Sequence, residues 1–409
     1  MNSLFCPLAA LLAFGWTFAA NAQDWTRFRG PNGSGIGKVK LPAEISPENI
    51  RWKTALPGRG HSSPVIWGDR VFVTCTAAGT TQRLVVCVNA ADGSILWQKG
   101  SETERFRLHA DSDYCVSTPA VDAEHAFVLW QAPAGSSIQA LRQADGKELW
   151  RVELGPFLSQ HGPGVSPIVI GDLVIVYFDQ DQGPSYVAAF DTKTGAERWR
   201  TPQTGGMASA STPCVVEQKG RTELILTSRT AGITALDSAT GKQTWQLPGI
   251  MAKRCVASPV LAPNGLLYAQ CGEGRAESFV YAVRPGTSAE PAAKLHEIVR
   301  IGGYVPTPII VEDLLFLWKE NGLVSCLRAS THEQLWSERL EGPFYGSPAY
   351  SDGRLFNMSV RGDLVIIRAA DKFQPLARLP LGEGSHATPA FSRNRMFLRT
   401  FTHLLSVGE

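Results

Sequence analysis

Ten basic or imidazole side chains fall at two recurring kinds of position along the chain. They either precede a short marker of small residues and proline, or follow the apolar run that comes after such a marker. Guanidinium and ammonium groups bind carboxylates and phosphates, so loops that carry them on one face would suit a polycarboxylate, a phosphate or an acidic peptide. The candidate binding residues are Arg59, His61, Arg107, His109, His161, Arg229, Arg254, Lys319, Arg361 and His386.

The histidines of this set could also bind a metal ion. His61 and His386 each stand three residues before a marker proline, but two imidazoles do not make a site without carboxylate or thiolate ligands. His109, Asp111 and Asp113 form a closer cluster of ligand types, which we interpret as a solvated acidic loop. We therefore expect no metal centre and no catalytic residue set.

The cysteines offer one candidate disulfide. Eight are present, and Cys6 lies in an apolar N-terminal run, which leaves seven in the rest of the chain. Cys255 and Cys271 flank a turn at 263–265 that would place them almost opposite each other on adjacent antiparallel strands. In an exported protein such a bridge can form, and closing this loop would contribute roughly 3 kcal/mol.

The proline marker reveals the elements that position these side chains. It recurs eight times, and each copy is followed by a turn and an apolar run. In most copies a D-x-x-x-G or D-G turn and a strand ending in tryptophan come next. Repeats of 40 to 50 residues with four short strands are typical of β-propeller blades, whose inner strands are buried on both faces and read as continuous apolar runs. The marker prolines are Pro64, Pro119, Pro167, Pro213, Pro259, Pro308, Pro348 and Pro389, and the tryptophan is missing near Leu295 and Leu376.

The last repeat lacks its fourth strand, and the segment 49–54 supplies a strand-like sequence with Trp52 in the tryptophan position. We predict that this segment completes the last blade and removes an exposed edge. The fold expected is an all-β, eight-bladed β-propeller of four-stranded antiparallel blades, closed by an N-terminal strand.

The repeat resembles the PQQ (pyrroloquinoline quinone) repeat of quinoproteins and their relatives. The segments FDTKTGAERW at 190–199 and LDSATGKQTW at 236–245 carry the resemblance most clearly, and it extends over about 49–407. One branch of this family, the PQQ-dependent dehydrogenases, implies PQQ, calcium and an aspartate base, with adjacent cysteines that this chain lacks. The other branch is BamB-like and implies partner binding without catalysis.

Composition and the N-terminal residues limit the cellular compartment and the classes of partner that this protein can have. The chain has 409 residues and a net charge of +2, which gives no overall attraction to nucleic acid or anionic membranes. Residues 1–22 are interpreted as a signal peptide ending in Ala20-Asn21-Ala22, residues 23–47 as an N-terminal arm, and residues 48–409 as the propeller. No later run is long enough to span a membrane.

These observations favour an exported, periplasmic or extracellular scaffold that binds an unknown protein or anionic ligand through its channel face, without a cofactor. Two alternatives remain open. One is a small oxidoreductase that uses PQQ with calcium. The other is a carbohydrate-binding propeller, for which Tyr304, Phe344 and Tyr345 would supply exposed aromatic rings at the mouth.

Overall fold

The computed structural model describes residues 24–218, 220–274, 277–287 and 289–409. Within these residues the strands form eight antiparallel sheets, which are the blades of a propeller. This confirms the predicted all-β architecture of four-stranded blades, with the difference that blade 1 carries an additional two-residue strand, Gly58–Arg59, paired with Arg70–Ala77. Two short 3₁₀ turns precede the blades, at Pro31–Gly33 and Pro47–Asn49.

The first four blades follow one another along the chain. Blade 1 continues with Val65–Trp67, Arg70–Ala77, Arg83–Asn89 and Ile95–Ser101. Blade 2 comprises Ala120–Val121, His125–Trp130, Ser136–Arg142 and Glu148–Gly155. Blade 3 comprises Ile168–Ile170, Leu173–Phe178, Ser185–Asp191 and Glu197–Gln203. Blade 4 comprises Cys214–Gln218, Arg221–Ser228, Gly232–Asp237 and Gln243–Leu247.

The remaining blades complete the ring. Blade 5 comprises Val260–Leu261, Leu267–Glu273, Glu277–Arg284 and Ala293–Val299. Blade 6 comprises Ile309–Val311, Leu314–Trp318, Leu323–Arg328 and Gln334–Arg339. Blade 7 comprises Ala349–Ser351, Arg354–Met358, Asp363–Arg368 and Pro375–Pro380. Blade 8 comprises Ala390–Ser392, Arg395–Arg399, His403–Gly408 and the N-terminal strand Ile50–Ala55.

Burial explains why the apolar pattern differs between strands of one blade. The second strand of blade 3, Leu173–Phe178, is buried at every residue, because neighbouring blades cover both of its faces. The outermost strand alternates instead, as Ile50–Ala55 shows, because one of its faces meets solvent. The continuous runs in the sequence are therefore the strands that face two neighbouring blades.

The ring closes as the sequence predicts. Ile50–Ala55 pairs antiparallel with His403–Gly408, with Trp52 opposite Ser406 and Thr54 opposite Leu404. The closing strand gives blade 8 its fourth strand and covers an edge that would otherwise expose unpaired backbone groups. It also joins the two ends of the propeller by backbone hydrogen bonds.

Tryptophan contacts link most neighbouring blades on the outside. The indole of Trp150 lies against Gly195 of the next blade, where a Cβ atom would come within 2.7 Å of the ring, and its Nε1–H donates to the Thr192 carbonyl oxygen at 2.9 Å. A side chain at Gly195, whose φ is +72°, would therefore clash and be strained. Equivalent indole–glycine contacts join Trp52 to Gly93, Trp97 to Gly146, Trp199 to Gly241 and Trp245 to Gly286.

The two repeats without tryptophan use other residues at the same register. His296 lies opposite Ala282 in blade 5, and Ala377 lies opposite Ile366 in blade 7. The imidazole of His296 stacks on that of His332 in blade 6, with 4.2 Å between ring centroids. A pair of imidazoles thus replaces the indole–glycine contact between blades 5 and 6.

On the inside, the blades are joined by a closed belt of hydrogen bonds, which we call the hydroxyl belt. The residue before each marker proline is serine or threonine, and its backbone N–H donates to the hydroxyl oxygen of the same residue in the next blade, at 2.9–3.3 Å. The last blade donates to the first, so the belt closes. Its members are Ser63, Thr118, Ser166, Thr212, Ser258, Thr307, Ser347 and Thr388.

We predict that Thr118→Val destabilises the protein by about 1–3 kcal/mol, because the buried N–H of Ser63 loses its acceptor. Thr118→Ser keeps the hydroxyl and is the matched control. Urea unfolding of the two variants and the parent protein measures the difference. Equal midpoints for the valine and serine variants would show that the hydroxyl is dispensable.

The N-terminal arm, described from Asp24 onward, crosses the inner strands of several blades. Trp25 pairs with Ile66 of blade 1, and Asn32 exchanges two hydrogen bonds with the backbone of Val215 in blade 4. Arg29 is fully buried and donates to the carbonyl oxygens of Pro308 and Pro348, in blades 6 and 7, at 3.0 and 2.8 Å. These contacts reach opposite sides of the ring, so the arm closes one end of the channel.

Two expectations concern export and membrane attachment. The signal peptide predicted over 1–22 lies outside the described residues. Among the residues that the structure describes, no helix has the length and apolar character needed to cross a membrane.

The predicted disulfide is absent. The sequence placed Cys255 and Cys271 correctly, since the neighbouring residues Arg254 and Gly272 form a backbone bridge, but both thiols are free. The Cys255 thiol lies 3.9 Å from the carbonyl oxygen of Lys253. Burial raises the pKa of both thiols, which disfavours the thiolate that disulfide exchange requires.

Candidate functional site

A cavity of about 650 Å³ lies where the loops that enter the innermost strands meet the channel. Its wall is built by loops from several blades, as expected for residues that precede the marker prolines. Phe28 of the N-terminal arm also lines it, together with six hydroxyls of the belt. Because the arm crosses the inner strands, the channel forms a cavity with one mouth.

One side of the cavity carries imidazole and phenol rings in contact at tilted angles. His61 and His386 lie with ring centroids 4.3 Å apart, and Tyr345 lies 4.7 Å from His386. Burial, together with the positive charge of neighbouring groups, lowers the pKa of His61 to about 2, and burial lowers that of His386 to about 4. Both imidazoles are therefore neutral near pH 7, and they offer hydrogen bonds without positive charge.

The opposite side carries cations. Lys253 and Arg254 belong to the loop that enters blade 5, and His61 belongs to the loop that enters blade 1, four blades away around an eight-bladed ring. Lys253 bonds Glu273 at 2.8 Å and Glu277 at 2.9 Å, so its charge is neutralised locally.

The two arginines on this side differ in how their charge is used. Arg254 is almost fully buried, donates to the carbonyl oxygen of Ala208 at 3.0 Å and lies 3.4 Å from an Asp181 carboxylate oxygen. Arg229 is exposed and donates to the thioether of Met207 at 3.5 Å. Among the described residues no carboxylate lies within ion-pair distance of Arg229. Its charge helps to lower the pKa of Glu273 from beyond that distance, and no hydrogen bond joins the two groups.

The structure brings six of the ten predicted residues together and separates four from them. Arg59 lies beside Asp113 and over the Phe401 ring, and the buried Lys319 donates to the Arg300 carbonyl oxygen at 2.7 Å. Arg107 is exposed, and Arg361 is paired with Glu341 at 3.2 Å. The residues that line the cavity are His61, His109, His161, Arg229, Arg254 and His386.

Sequence reasoning missed the floor of the cavity. Phe28 comes from the arm, and nothing in the repeat pattern indicates where the arm runs. The hydroxyl belt did have a signal, because serine or threonine precedes all eight marker prolines. Among the aromatic residues proposed for a sugar site, Tyr304 and Tyr345 line the cavity, but Phe344 is fully buried against Trp318, with ring centroids 5.4 Å apart.

Glu320 is a buried carboxyl group in the cavity wall. One of its oxygens accepts the backbone N–H groups of Tyr304 and Val305, at 2.6 and 2.5 Å. Burial raises the pKa of this carboxyl group, while these hydrogen bonds lower it. Its Oε1 atom thus holds the loop that enters blade 6, while its buried Oε2 atom has no hydrogen-bond partner among the described residues.

The donors present do not fit the calcium ion that the dehydrogenase branch implies beside PQQ. Within the described residues, no three His, Cys, Asp or Glu side chains lie close enough together to hold a metal ion. Of the cavity carboxylates, Glu273 pairs with Lys253, Asp111 accepts the Tyr345 hydroxyl, and one oxygen of Glu320 accepts two backbone N–H groups. No cysteine contributes to the cavity wall among these residues.

Comparisons with known proteins agree with this architecture. A protein from Yersinia pestis named outer membrane protein assembly factor BamB is 23% identical over 281 residues, which cover 67% of this chain and 63% of that protein. The match thus spans less than two thirds of the relative's length. BamB from Moraxella catarrhalis superposes with a TM-score of 0.63 at 15% identity, over 87% of this chain and 96% of that chain.

Enzymes share the fold as well. A quinohemoprotein alcohol dehydrogenase from Comamonas testosteroni superposes with a TM-score of 0.64 at 13% identity, over 94% of this chain and 80% of that chain. Likeness at this level of identity shows the fold alone. The sequence profile of the family described as outer membrane protein assembly factor BamB matches residues 43–131, 134–292 and 280–374. The chain therefore belongs to this family of PQQ-repeat propellers.

Proposed function

We propose that this protein is an exported, non-catalytic scaffold whose one-mouthed cavity binds an acidic segment of a partner protein. The observation that carries the proposal is Arg229, an exposed guanidinium in the cavity wall with no carboxylate within ion-pair distance among the described residues. An arginine in this position can bind a carboxylate in bidentate geometry. Lys253 and Arg254 already have their own carboxylates.

Export and partner binding are supported by two further observations. A relative is named as an assembly factor of outer membrane proteins, and the family profile carries the same description. The residues 1–22 have the composition of a signal peptide. A scaffold function also agrees with a cavity wall in which burial lowers the pKa of His61 and His386 far below 7.

A binding measurement tests the proposal. We expect the chain from Gln23 onward to bind a fluorescein-labelled hexaglutamate peptide, and Arg229→Ala to weaken binding about fivefold, or about 1 kcal/mol. Arg51→Ala is the matched control, since Arg51 is also exposed but lies on the closing strand, outside the cavity. Fluorescence polarisation at increasing salt should show falling affinity, because the contact is solvent-exposed.

Two outcomes would contradict the proposal. Equal losses in the two arginine variants would show that the peptide binds by general charge and not in the cavity. Saturable binding of PQQ with calcium, at micromolar affinity and with dye reduction in the presence of an alcohol, would replace the scaffold by the oxidoreductase alternative.

A further inference from the structure

The longest connection between blades covers residues 102–119, and its first part, residues 102–114, lies over the mouth of the cavity. It leaves blade 1 at Ser101 and enters blade 2 at Ala120 without forming a strand. Three of its residues, His109, Asp111 and Ser112, line the cavity. We call residues 102–114 the strap.

The base of the strap is firmly held. Asp113 is buried, accepts the Thr76 hydroxyl at 2.7 Å and the Cys115 N–H at 3.0 Å, and pairs with Arg59 at 3.5 Å. The phenol of Tyr114 donates to the Phe106 carbonyl oxygen at 3.1 Å, and the two rings meet edge to face at 4.8 Å. These contacts fix both ends of residues 107–112, which form the tip.

The tip makes few contacts, and they lie on opposite sides of the mouth. His109 packs on His161, with 5.0 Å between ring centroids, in the loop that enters blade 3. Asp111 accepts the Tyr345 hydroxyl at 3.3 Å, in the loop that enters blade 7. Blades 3 and 7 are four steps apart in an eight-bladed ring, so the tip must cross the mouth to reach both loops.

Leu108 adds an apolar contact on the blade 3 side. Its side chain lies against Gly162, where a Cβ atom would come within 2.6 Å of a Leu108 methyl carbon. On the far side Asp111 also meets His386, in the loop that enters blade 8, through a backbone hydrogen bond. The tip therefore rests on apolar, imidazole and hydrogen-bond contacts made by three of its side chains and one backbone group. Contacts of this kind open at low free-energy cost compared with the blades, which are joined by many buried hydrogen bonds.

We propose that the strap is a gate: its tip lifts from the loops of blades 3 and 7 to admit a ligand to the cavity and closes over the ligand once bound. This regulation rests on the proposed function, because a gate matters only for a cavity that takes a ligand. Asp111 is the latch, since its contact with Tyr345 holds the far side of the tip. Phe28 and the arm close the other end, so entry passes under the strap.

The strap carries its own reporter of opening. Arg105 and Arg107 are exposed, and trypsin needs an extended segment on either side of the bond it cleaves, so cleavage there measures the population with the tip lifted. We expect Asp111→Ala to speed cleavage after these two arginines about fivefold in the otherwise intact chain. Glu104→Ala, an equally exposed acidic residue of the strap, is the matched control.

A second readout reports access to the cavity and needs no natural ligand. Diethyl pyrocarbonate acylates neutral imidazoles, and His61 and His386 lie in the cavity. Mass spectrometry should show faster modification of His61 in Asp111→Ala than in Glu104→Ala. His61 is the reporter, because His386 interacts with Asp111 directly. His296, on the outside of blade 5, should react at the same rate in both variants.

The outcomes separate the gate from the proposed function. Equal cleavage and equal modification in the two variants would overturn the gate, even if hexaglutamate binds. Faster cleavage without faster modification of His61 would also overturn it, because the strap would then move without controlling entry. Faster cleavage and modification without hexaglutamate binding would support the gate and reject the acidic segment as its ligand.

Discussion

Replacing Arg29 with alanine should lower the free energy of unfolding by about 3–5 kcal/mol, the largest effect expected of a single substitution outside the blades. The guanidinium is fully buried and donates to the carbonyl oxygens of Gly33, Ser34, Pro308 and Pro348. Alanine would leave these acceptors without a donor and would open a void between the arm and blades 6 and 7.

Thermal and urea unfolding of Arg29→Ala measures this loss. Arg51→Ala is the matched control, because Arg51 is exposed on the closing strand and its removal should change stability by less than about 0.5 kcal/mol. The alanine variant should also become sensitive to proteolysis within residues 24–37. Unfolding midpoints equal to those of Arg51→Ala would mean that the arm contributes little to the stability of the ring.

Acid should destabilise the protein through His61, the second large effect. Burial lowers its pKa to about 2, against about 6.5 in the unfolded chain, so the unfolded state binds more protons between these values. The free energy of unfolding therefore falls as the pH drops below about 6.5, by about 1.4 kcal/mol per pH unit, and this group alone accounts for about 2 kcal/mol at pH 5.

We expect His61→Gln to lose the part of this pH dependence that His61 contributes, about 2 kcal/mol at pH 5, whereas His109→Gln, at an exposed cavity histidine, should keep it. His386, whose pKa burial lowers to about 4, contributes with the same sign in both variants. Urea unfolding at pH 7.5, 6 and 5 measures the difference between the two variants. Asp179 acts with the opposite sign, because burial raises its pKa to about 6 and stability from this group falls as the pH rises toward that value. Its contribution is common to both variants and cancels in the comparison. Parallel changes in the free energy of unfolding with pH in the two variants would show that His61 is hydrated in the folded protein.

Architecture could be predicted from the sequence because its signals are repeated. Each copy of the proline marker, with the apolar run after it, indicates one blade. Trp52, which stands in the tryptophan position of the repeat although it lies at the other end of the chain, indicates the closing strand, and in the structure it lies opposite Ser406. His296 and Ala377 mark the limit of this reasoning. The sequence shows that two repeats lack the tryptophan. Which residue occupies its place in the strand pairing depends on a bulge in each outer strand.

The mouth was harder to predict because its side chains pair between different loops. Arg254 meets Asp181 from 73 positions away, and Arg361 meets Glu341 from 20 positions away, so a count of cations in the loops overstates the charge left for a ligand. The strap shows the same limit. Its length was visible in the sequence, but the contact of Asp111 with Tyr345 requires the order of the blades in space.

The hydroxyl belt has a consequence for how the number of blades is determined. Every blade gives one N–H group and receives one in the same rotational sense, so all eight joints are interchangeable. Equivalent hydrogen bonds fix on which side of a blade its neighbour lies, but they do not fix the number of blades. In a chain that gained or lost one whole repeat, every donor of the belt would still have an acceptor. The number of blades must therefore be set by the angle between neighbouring blades and by the position at which Ile50–Ala55 pairs with His403–Gly408.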